Sequence, residues 1–303
     1  MAARKAEEHL LAFYGLQAKD HFMQLPKLGV KIRVSEIGSG KPILVVPGNT
    51  GDAFPLIPLL AEMKGYHILA INRPGGGLSE GMDHRKVDFH EEANETIHTV
   101  LEAFSLEQIP IIGHSIGGHW SLWYAMDHPE RVSALILLGV PGNILTTCPP
   151  FSLRLMTVPI LNSLLFKSIE AHSSKAALKG LSLVGHSAEN LARLPKELAE
   201  CYSAFEKLPH YRISTLSMMQ KINHLYGADP RVHINGGQLQ NIQCPAMFLW
   251  GTNDPFGSIE TGREIASLMP ESEFHAIEGG GHLPWLDDPA GCGRLVMDFL
   301  SNH

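Results

Sequence analysis

The chain has 303 residues, of which 44% are hydrophobic and 18% are charged, so it can bury the core of one large domain. Its formal net charge of −7 disfavours a role in nucleic-acid binding, because binding to phosphates requires a basic face. The four cysteines form no C-x-x-C pair, so neither a zinc site nor a redox pair is indicated; they are Cys148, Cys201, Cys244 and Cys292.

The N-terminal segment lacks the features of a targeting signal. Glu7 and Glu8 stand where a signal peptide needs an apolar run. No apolar stretch reaches the length of about 18 residues that a membrane-spanning helix needs. We therefore expect a cytoplasmic protein with reduced thiols and without a membrane span.

Strand-like and helical patterns alternate over residues 1–140. The predicted elements are a helix at 5–17, strands at 29–36, 42–46 and 66–71, a helix at 89–104, a strand at 109–113, a helix at 116–126 and a strand at 132–138. Alternation of this kind predicts an α/β fold with a parallel sheet and right-handed crossovers.

The alternation stops in the middle of the chain. Residues 141–236 have mainly helical patterns, at 151–166, 188–205 and 214–225, and no clear strand. Alternation then returns, with strands at 246–250 and 273–277 and helices at 260–268 and 291–300. The sequence therefore predicts a core domain of residues 1–140 and 237–303, with residues 141–236 inserted as a helical cap.

The pattern G-x-S-x-G occurs twice, as GHSIG around Ser115 and as GLSEG around Ser79. A nucleophile elbow needs a strand that runs into a sharp turn and then into a helix. Ser115 has this context, between the strand at 109–113 and the helix at 116–126. Ser79 follows PGGG and precedes a polar stretch, so we interpret it as a loop serine. A third serine, Ser187, lacks the second glycine and is predicted to cap a helix.

An acid and a histidine follow the two C-terminal strands. Asp254 comes after the strand at 246–250, and His282 follows three glycines after the strand at 273–277. This is the chain order of nucleophile, acid and histidine that accompanies such an elbow. His282 is predicted to take the proton of Ser115 and return it to the leaving group, while Asp254 holds the imidazole in the required tautomer.

An oxyanion that forms at Ser115 needs two preorganised N–H donors. One is predicted to be the backbone N–H of Ile116, directly after the nucleophile. The other is expected from the loop PGNTG at 47–51, which follows the strand at 42–46. Asn49 is the first choice there, with Thr50 as the alternative.

Four segments resemble the α/β-hydrolase superfamily, and among its members the capped serine esterase-like hydrolases. They are GHSIGG at 113–118, NRPGGGLS at 72–79, HPERVSALILL at 128–138 and the segment 281–300. The resemblance implies an α/β-hydrolase fold, in which a mostly parallel central sheet is flanked by helices and the insertion forms the cap. Two residues depart from the family pattern. Asn72 replaces the usual aspartate, and Pro47 replaces the histidine of the usual His-Gly pair, so the side-chain support of the oxyanion loop must differ.

The resemblance implies a serine hydrolase that cleaves a small to medium apolar ester or thioester through an acyl-enzyme on Ser115, without cofactor or metal. A carbon–carbon bond hydrolase, a lyase or an acyltransferase with the same triad is the alternative, since fold and triad do not separate these reactions. A non-catalytic ligand receptor on the same fold is the third hypothesis. Seven apolar cap residues either line an acyl pocket or pack the cap onto the core: Phe151, Leu153, Leu155, Met156, Leu161, Leu164 and Leu165.

Overall fold

An eight-stranded, mostly parallel sheet forms the centre of the computed structural model, which describes residues 2–139, 142–158, 161–162 and 177–303. Its strands are β1 Ala18–Leu25, β2 Val30–Gly38, β3 Lys41–Val46, β4 Tyr66–Asn72, β5 Ile109–His114, β6 Val132–Leu138, β9 Ala246–Gly251 and β10 Ser272–Ile277. The order across the sheet is β1-β2-β4-β3-β5-β6-β9-β10. The pairs β1–β2 and β2–β4 are antiparallel, and all other pairs are parallel.

Helices cover both faces of this sheet. Those outside the segment between β6 and β9 are α1 Ala2–Phe13, α2 Ile57–Leu60, α3 Phe89–Ala103, α4 Ile116–Asp127, α11 Ile259–Ser267, α12 Pro284–Asp287 and α13 Pro289–Asn302. Apolar residues of α1, α2 and α13 pack on one face of the sheet, and those of α3, α4 and α11 pack on the other. Strands covered on both faces read as continuous apolar runs, as in β6. The prediction of an α/β fold with a mostly parallel sheet is therefore confirmed.

The segment between β6 and β9 is mainly helical. It contains α5 Phe151–Arg154, α6 Lys179–Ser182, α7 Ala188–Arg193, α8 Lys196–Phe205, α9 Tyr211–Ile222 and α10 Gly236–Leu239. It also contains a short antiparallel pair, β7 Asn223–His224 and β8 Gly227–Ala228, which the sequence patterns did not reveal. The helix predicted at 188–205 is divided into α7 and α8, because Leu194 precedes Pro195 and is extended (ψ 140°).

The N-terminal strand β1 was not predicted, and its composition explains why. It is an edge strand, and most of its residues are half-buried or exposed, so its sequence AKDHFMQL contains no apolar run. The helix expected at 5–17 ends at Phe13 and leaves room for this strand. None of the helices in the described ranges is long and apolar enough to cross a membrane.

The parallel strands place the candidate residues at one edge of the sheet. The loop 47–51 follows β3, Ser115 follows β5, Asp254 lies in the loop after β9, and His282 lies in the loop after β10. Since parallel strands have their carboxyl ends on the same side, these four loops meet at a single edge, where ligands of α/β sheets bind.

Candidate active site

Ser115 lies in a strained turn between β5 and α4. Its backbone has φ 51° and ψ −117°, a conformation that a residue with a side chain rarely adopts. The neighbouring glycines explain how so sharp a turn fits. A Cβ at Gly117 would lie 2.0 Å from the carbonyl oxygen of Val46, and a Cβ at Gly113 would lie 2.6 Å from Cα of Gly118. The turn therefore needs glycine at both positions, and it presents the serine at the start of a helix.

The structure brings Ser115, His282 and Asp254 together in one hydrogen-bonded chain. The Nε2 atom of His282 lies 2.9 Å from Oγ of Ser115, and its Nδ1 atom lies 2.8 Å from Oδ2 of Asp254. All three residues are buried, with exposed fractions of 5%, 5% and 7% for Ser115, His282 and Asp254. With Nδ1–H donating to the carboxylate, Nε2 is free to accept the hydroxyl proton.

Phe256, which the sequence patterns did not single out, fixes both Asp254 and His282. Its backbone N–H donates to Oδ1 of Asp254 at 2.9 Å, so each carboxylate oxygen has a different partner. Its ring stacks on the imidazole of His282, with ring centres 4.0 Å apart and an angle of 13° between the planes. The only feature of the sequence that could have pointed to Phe256 was its position two residues after Asp254.

The loop that holds His282 is fastened by residues from the segment between β6 and β9. The backbone N–H of His282 donates to the carbonyl oxygen of Val184 at 2.8 Å, and the N–H of Leu283 donates to Nε2 of His186 at 3.3 Å. The Nδ1 atom of His186 lies 2.9 Å from Asp287, whose carboxylate also accepts the N–H of Gly281. These contacts hold the backbone of the histidine loop on both sides of the imidazole.

Two backbone N–H groups next to Ser115 are available to an oxyanion. Across the described ranges, neither Ile116 nor Asn49 donates its N–H to a protein acceptor. Both residues line the same cavity as Ser115. A Cβ at Gly48 would lie 3.4 Å from Cβ of Ser115, so the loop before Asn49 passes directly beside this serine.

A mostly apolar cavity of about 280 Å³ opens above the serine. Of the seven apolar residues named from the sequence, Leu153 and Met156 line it, while Phe151 and Leu161 are exposed by 58% and 40%. Leu155 is half-buried and is absent from the described lining. Leu164 and Leu165 lie outside the described residues. Further apolar lining residues are Leu181, Leu183, Val184, Met219, Ile222 and Phe256.

Part of the cavity lining is polar. Five of the polar lining residues are together called the polar wall, namely Asp52, Tyr202, Glu206, Tyr211 and Thr215. Burial raises the pKa of Asp52 to about 8, and the negative charge of a nearby glutamate acts in the same direction. Burial also raises the pKa values of the two phenols above their usual range, so both hold their protons. Among the described lining residues there is no lysine or arginine.

The other residues considered in the sequence are explained by structural roles. Ser79 donates to the carbonyl oxygen of Asn72 at 2.6 Å and accepts the N–H of Arg33, so it fixes a loop. Ser187 caps α7 by accepting the N–H of Asn190, as predicted. Within the ranges that the structure describes, no three His, Cys, Asp or Glu side chains are grouped so that they could hold a metal ion.

His114 packs against His282 and Trp285, directly before the turn at Ser115. Its ring centre lies 4.8 Å from the ring of Trp285 and 5.1 Å from that of His282. Burial, together with the nearby His282, holds the pKa of His114 well below its usual range, so this imidazole is neutral. A neutral ring at this place adds no positive charge beside the histidine that faces Ser115.

Relatives with full-length similarity are hydrolases by name. The chain is 26% identical over 292 residues to 2-hydroxy-6-oxononadienedioate/2-hydroxy-6-oxononatrienedioate hydrolase 2 of Pseudomonas putida, which covers 91% of this chain and 93% of the relative. Among solved structures, the carboxylesterase CesB of Bacillus subtilis matches with a TM-score of 0.75 and 15% identity, over 99% of this chain and 98% of that one. A 2-hydroxy-6-oxo-6-phenylhexa-2,4-dienoate hydrolase from Rhodococcus also matches with a TM-score of 0.75, at 18% identity, over 94% and 99%.

These structural similarities extend over almost the whole length of each chain, and at such identities they show a shared fold. A model of the family described as alpha/beta hydrolase fold matches residues 41–289, which include β3 through the histidine loop. The chain therefore belongs to the alpha/beta hydrolase fold family.

Proposed function

We propose that this chain is a hydrolase in which Ser115 attacks a substrate carbonyl, His282 transfers the proton and Asp254 orients His282. The observation that supports this most directly is the continuous chain of hydrogen bonds from the serine hydroxyl to the buried carboxylate, with steps of 2.9 and 2.8 Å. The free N–H groups of Ile116 and Asn49 are proposed as the oxyanion hole.

The reaction follows from this arrangement. His282 takes the hydroxyl proton while Oγ of Ser115 bonds to the carbonyl carbon, and the carbonyl oxygen becomes an anion held by the two N–H groups. When the tetrahedral intermediate collapses, His282 gives the proton to the leaving group. A water molecule then adds to the acyl-enzyme by the same route and releases the acid. Asp254 stabilises the imidazolium in both halves.

The names of the relatives favour carbon–carbon bond hydrolysis over the ester hydrolysis that we place first from the sequence. Relatives covering about nine tenths of the chain act, by name, on 2-hydroxy-6-oxo compounds with two or three double bonds. A carbon leaving group is poor unless the departing electron pair is delocalised, for example into a conjugated carbonyl system. We therefore propose cleavage of the bond beside a ketone as the first activity. For a 2-hydroxy-6-oxo compound the enol proton first moves to the carbon beside the ketone, because only this keto form can break to a delocalised enolate. His282 would then deliver its proton to the leaving enolate.

The polar wall argues that the substrate differs from those of the named relatives. Their substrates are dioates, which means that they bear two carboxylates. Two of the residues on the polar wall, Asp52 and Glu206, are themselves acids, and the pKa of about 8 keeps Asp52 mostly protonated near pH 7. The described lining offers no lysine or arginine to pair with a substrate carboxylate. Bringing a carboxylate into such a cavity is unfavourable. We therefore propose a substrate with an apolar body and a neutral polar end, and this keeps a neutral apolar ester as the second candidate.

The helical segment at 141–236 is proposed as a cap over the site, on the core of residues 1–140 and 237–303. Residues of this segment supply the wall of the cavity opposite Ser115, including Met156, Val184 and Met219. The same segment fastens the histidine loop through the carbonyl of Val184. A rearrangement of the segment would therefore affect both access to the serine and the position of His282.

The experiment compares three probes on the wild type and on two variants, Ser115→Ala and Ser79→Ala. The probes are a neutral 6-aryl-2-hydroxy-6-oxohexa-2,4-diene, the same compound with a carboxylate in place of its terminal methyl group, and p-nitrophenyl butyrate. We expect cleavage of the neutral diene, weaker cleavage of its carboxylate, and loss of about 10⁴- to 10⁶-fold in kcat only in Ser115→Ala. Turnover of the ester alone would favour the second candidate. Tight binding of all probes without turnover would favour a receptor and contradict the proposal.

A further inference from the structure

A buried arginine holds the loop after β3. Arg73 follows β4 directly and is 1% exposed. Its Nε donates to the carbonyl oxygen of Pro47 at 3.0 Å, and its Nη2 donates to those of Gly48 and Asn49, the latter at 3.2 Å. The guanidinium also lies over the ring of Trp120, 4.6 Å from its centre. One side chain thus binds three consecutive carbonyl groups of the loop.

These bonds contribute to where the N–H groups of the loop point, together with the N–H of Gly51, which also donates to the carbonyl oxygen of Gly48 at 2.9 Å. In a trans peptide the C=O and the N–H lie on opposite sides of the bond. The carbonyl of Gly48 and the N–H of Asn49 belong to the same peptide. Because Arg73 holds this carbonyl on its own side, the N–H of Asn49 points to the other side of the loop.

The other side of the loop faces the nucleophile. A Cβ at Gly48 would lie 2.6 Å from Nδ1 of His114 and 3.4 Å from Cβ of Ser115. The loop therefore lies between Arg73 and the serine. The N–H that Arg73 turns away from itself is directed to the side where the oxyanion would form.

The far end of the loop is held by the backbone that follows the arginine. The N–H of Arg73 donates to the carbonyl oxygen of Gly51 at 2.9 Å. A Cβ at Gly76 would lie 2.4 Å from Cα of Gly51, so the two backbones are in direct contact. The side chain of Arg73 thus orients peptides in a loop whose end is already fixed.

Burying this guanidinium is costly, and its partners are unusual. Burial lowers the pKa of Arg73 to about 10, although the charges of Glu92 and Asp52 act in the opposite direction. Across the described ranges it has no carboxylate within ion-pair distance, and its Nη1 atom has no hydrogen-bond partner. Burying a charge without an ionic partner does not by itself stabilise a fold. Its contacts are concentrated on the loop beside Ser115.

We propose that Arg73 is the positioning residue of the oxyanion loop, which aims the N–H of Asn49 at the oxyanion by holding the carbonyls of residues 47–49. It supports the loop through a side chain that lies outside the loop itself. The inference rests on the proposed function, because it takes Ser115 as the nucleophile.

The test measures inactivation by an uncharged fluorophosphonate, in which Oγ of Ser115 bonds to phosphorus, fluoride leaves and His282 takes the proton. Arg73→Lys keeps the positive charge but loses the planar guanidinium with its several N–H donors, and Arg73→Gln loses both the charge and the guanidinium. Arg33→Lys is the matched control, since Arg33 is also buried but is paired with Glu7 and Asp20.

We expect kinact to fall about 100-fold in both Arg73 variants, the usual effect of losing one oxyanion donor, while KI changes less than threefold. Arg33→Lys should lower the midpoint of urea unfolding and leave kinact unchanged. If wild-type Ser115 is not labelled, the proposed function fails. If it is labelled and the Arg73 variants react within threefold of wild type, the role of Arg73 is refuted. If both Arg73 variants fail to fold while Arg33→Lys folds, Arg73 is structural and the proposal is also wrong.

Discussion

Replacing Asp254 by asparagine tests the hydrogen-bond chain at its buried end. In the wild type, Oδ1 of Asp254 accepts the N–H of Phe256 at 2.9 Å, and Oδ2 faces Nδ1 of His282 at 2.8 Å. The asparagine oxygen must take the place of Oδ1, because the opposite orientation sets its NH₂ group against the N–H of Phe256. Losing that buried hydrogen bond costs about 1–3 kcal/mol. The NH₂ group then faces His282.

This orientation reverses the tautomer of the histidine. Nδ1 of His282 must accept from the asparagine NH₂, so the ring proton moves to Nε2, where it faces Ser115. A protonated Nε2 cannot accept the hydroxyl proton. The expected loss is about 10⁴-fold in the rate of bond formation, which corresponds to about 5.5 kcal/mol of activation free energy.

The assay is the rate of phosphonylation of Ser115 by an uncharged fluorophosphonate, followed by intact mass. Asp20→Asn serves as the control, because Asp20 is also paired but lies on the edge strand β1. The control should react at the wild-type rate. A rate for Asp254→Asn within tenfold of wild type would show that the tautomer argument is wrong, or that Asp254 is not the acid.

Three further predictions concern residues around the site. Ser79→Ala should lower the free energy of unfolding by about 1–3 kcal/mol, since it removes the 2.6 Å bond to Asn72, and it should leave the labelling rate unchanged; a lost rate in urea-stable protein would identify Ser79 as the nucleophile. Phe256→Ala should slow phosphonylation about tenfold, because His282 loses the ring stacked at 4.0 Å, and an unchanged rate would contradict this. Burial raises the pKa of Asp52 to about 8, so its contribution to stability falls as pH rises through that value. In urea unfolding, the free energy of unfolding of Asp52→Asn relative to that of the wild type should therefore be higher at pH 9 than at pH 6. A relative free energy that is the same at both pH values would refute this.

The elbow could be predicted because its requirements are local. Ser115 needs a strand before it, a helix after it and glycine on either side, and all of these stand within about ten residues. The order of the acid and the histidine follows from the strand order. The structure places Asp254 and His282 within hydrogen-bond distance in this arrangement, although their catalytic roles stay predictions.

The support of the loop at 47–51, the proposed oxyanion loop, could not be predicted, because it depends on contacts between distant segments. Arg73 reaches carbonyl groups 24 to 26 positions earlier in the chain, and a carbonyl contact leaves no mark on the sequence of its acceptor. The replacement of the usual histidine by Pro47 shows only that the side-chain support of this loop must differ from that in the family pattern. The polar wall was missed for the same reason, since Asp52 and Tyr202 come from separate elements.

Two features of the fold were missed for local reasons. The edge strand β1 alternates polar and apolar residues weakly, so its pattern is indistinct beside the continuous apolar runs of the central strands. The predicted helix at 188–205 overlooked Pro195, which ends one helix and lets the next begin.

The most direct test of Ser115 as an activated nucleophile is the intact mass of the wild type and of Ser115→Ala after exposure to a fluorophosphonate. We predict a single adduct on the wild type, mapped to Ser115 by peptide mass, and none on the variant. An adduct that persists on Ser115→Ala, or the absence of any adduct on folded wild-type protein, would contradict the claim that Ser115 is an activated nucleophile.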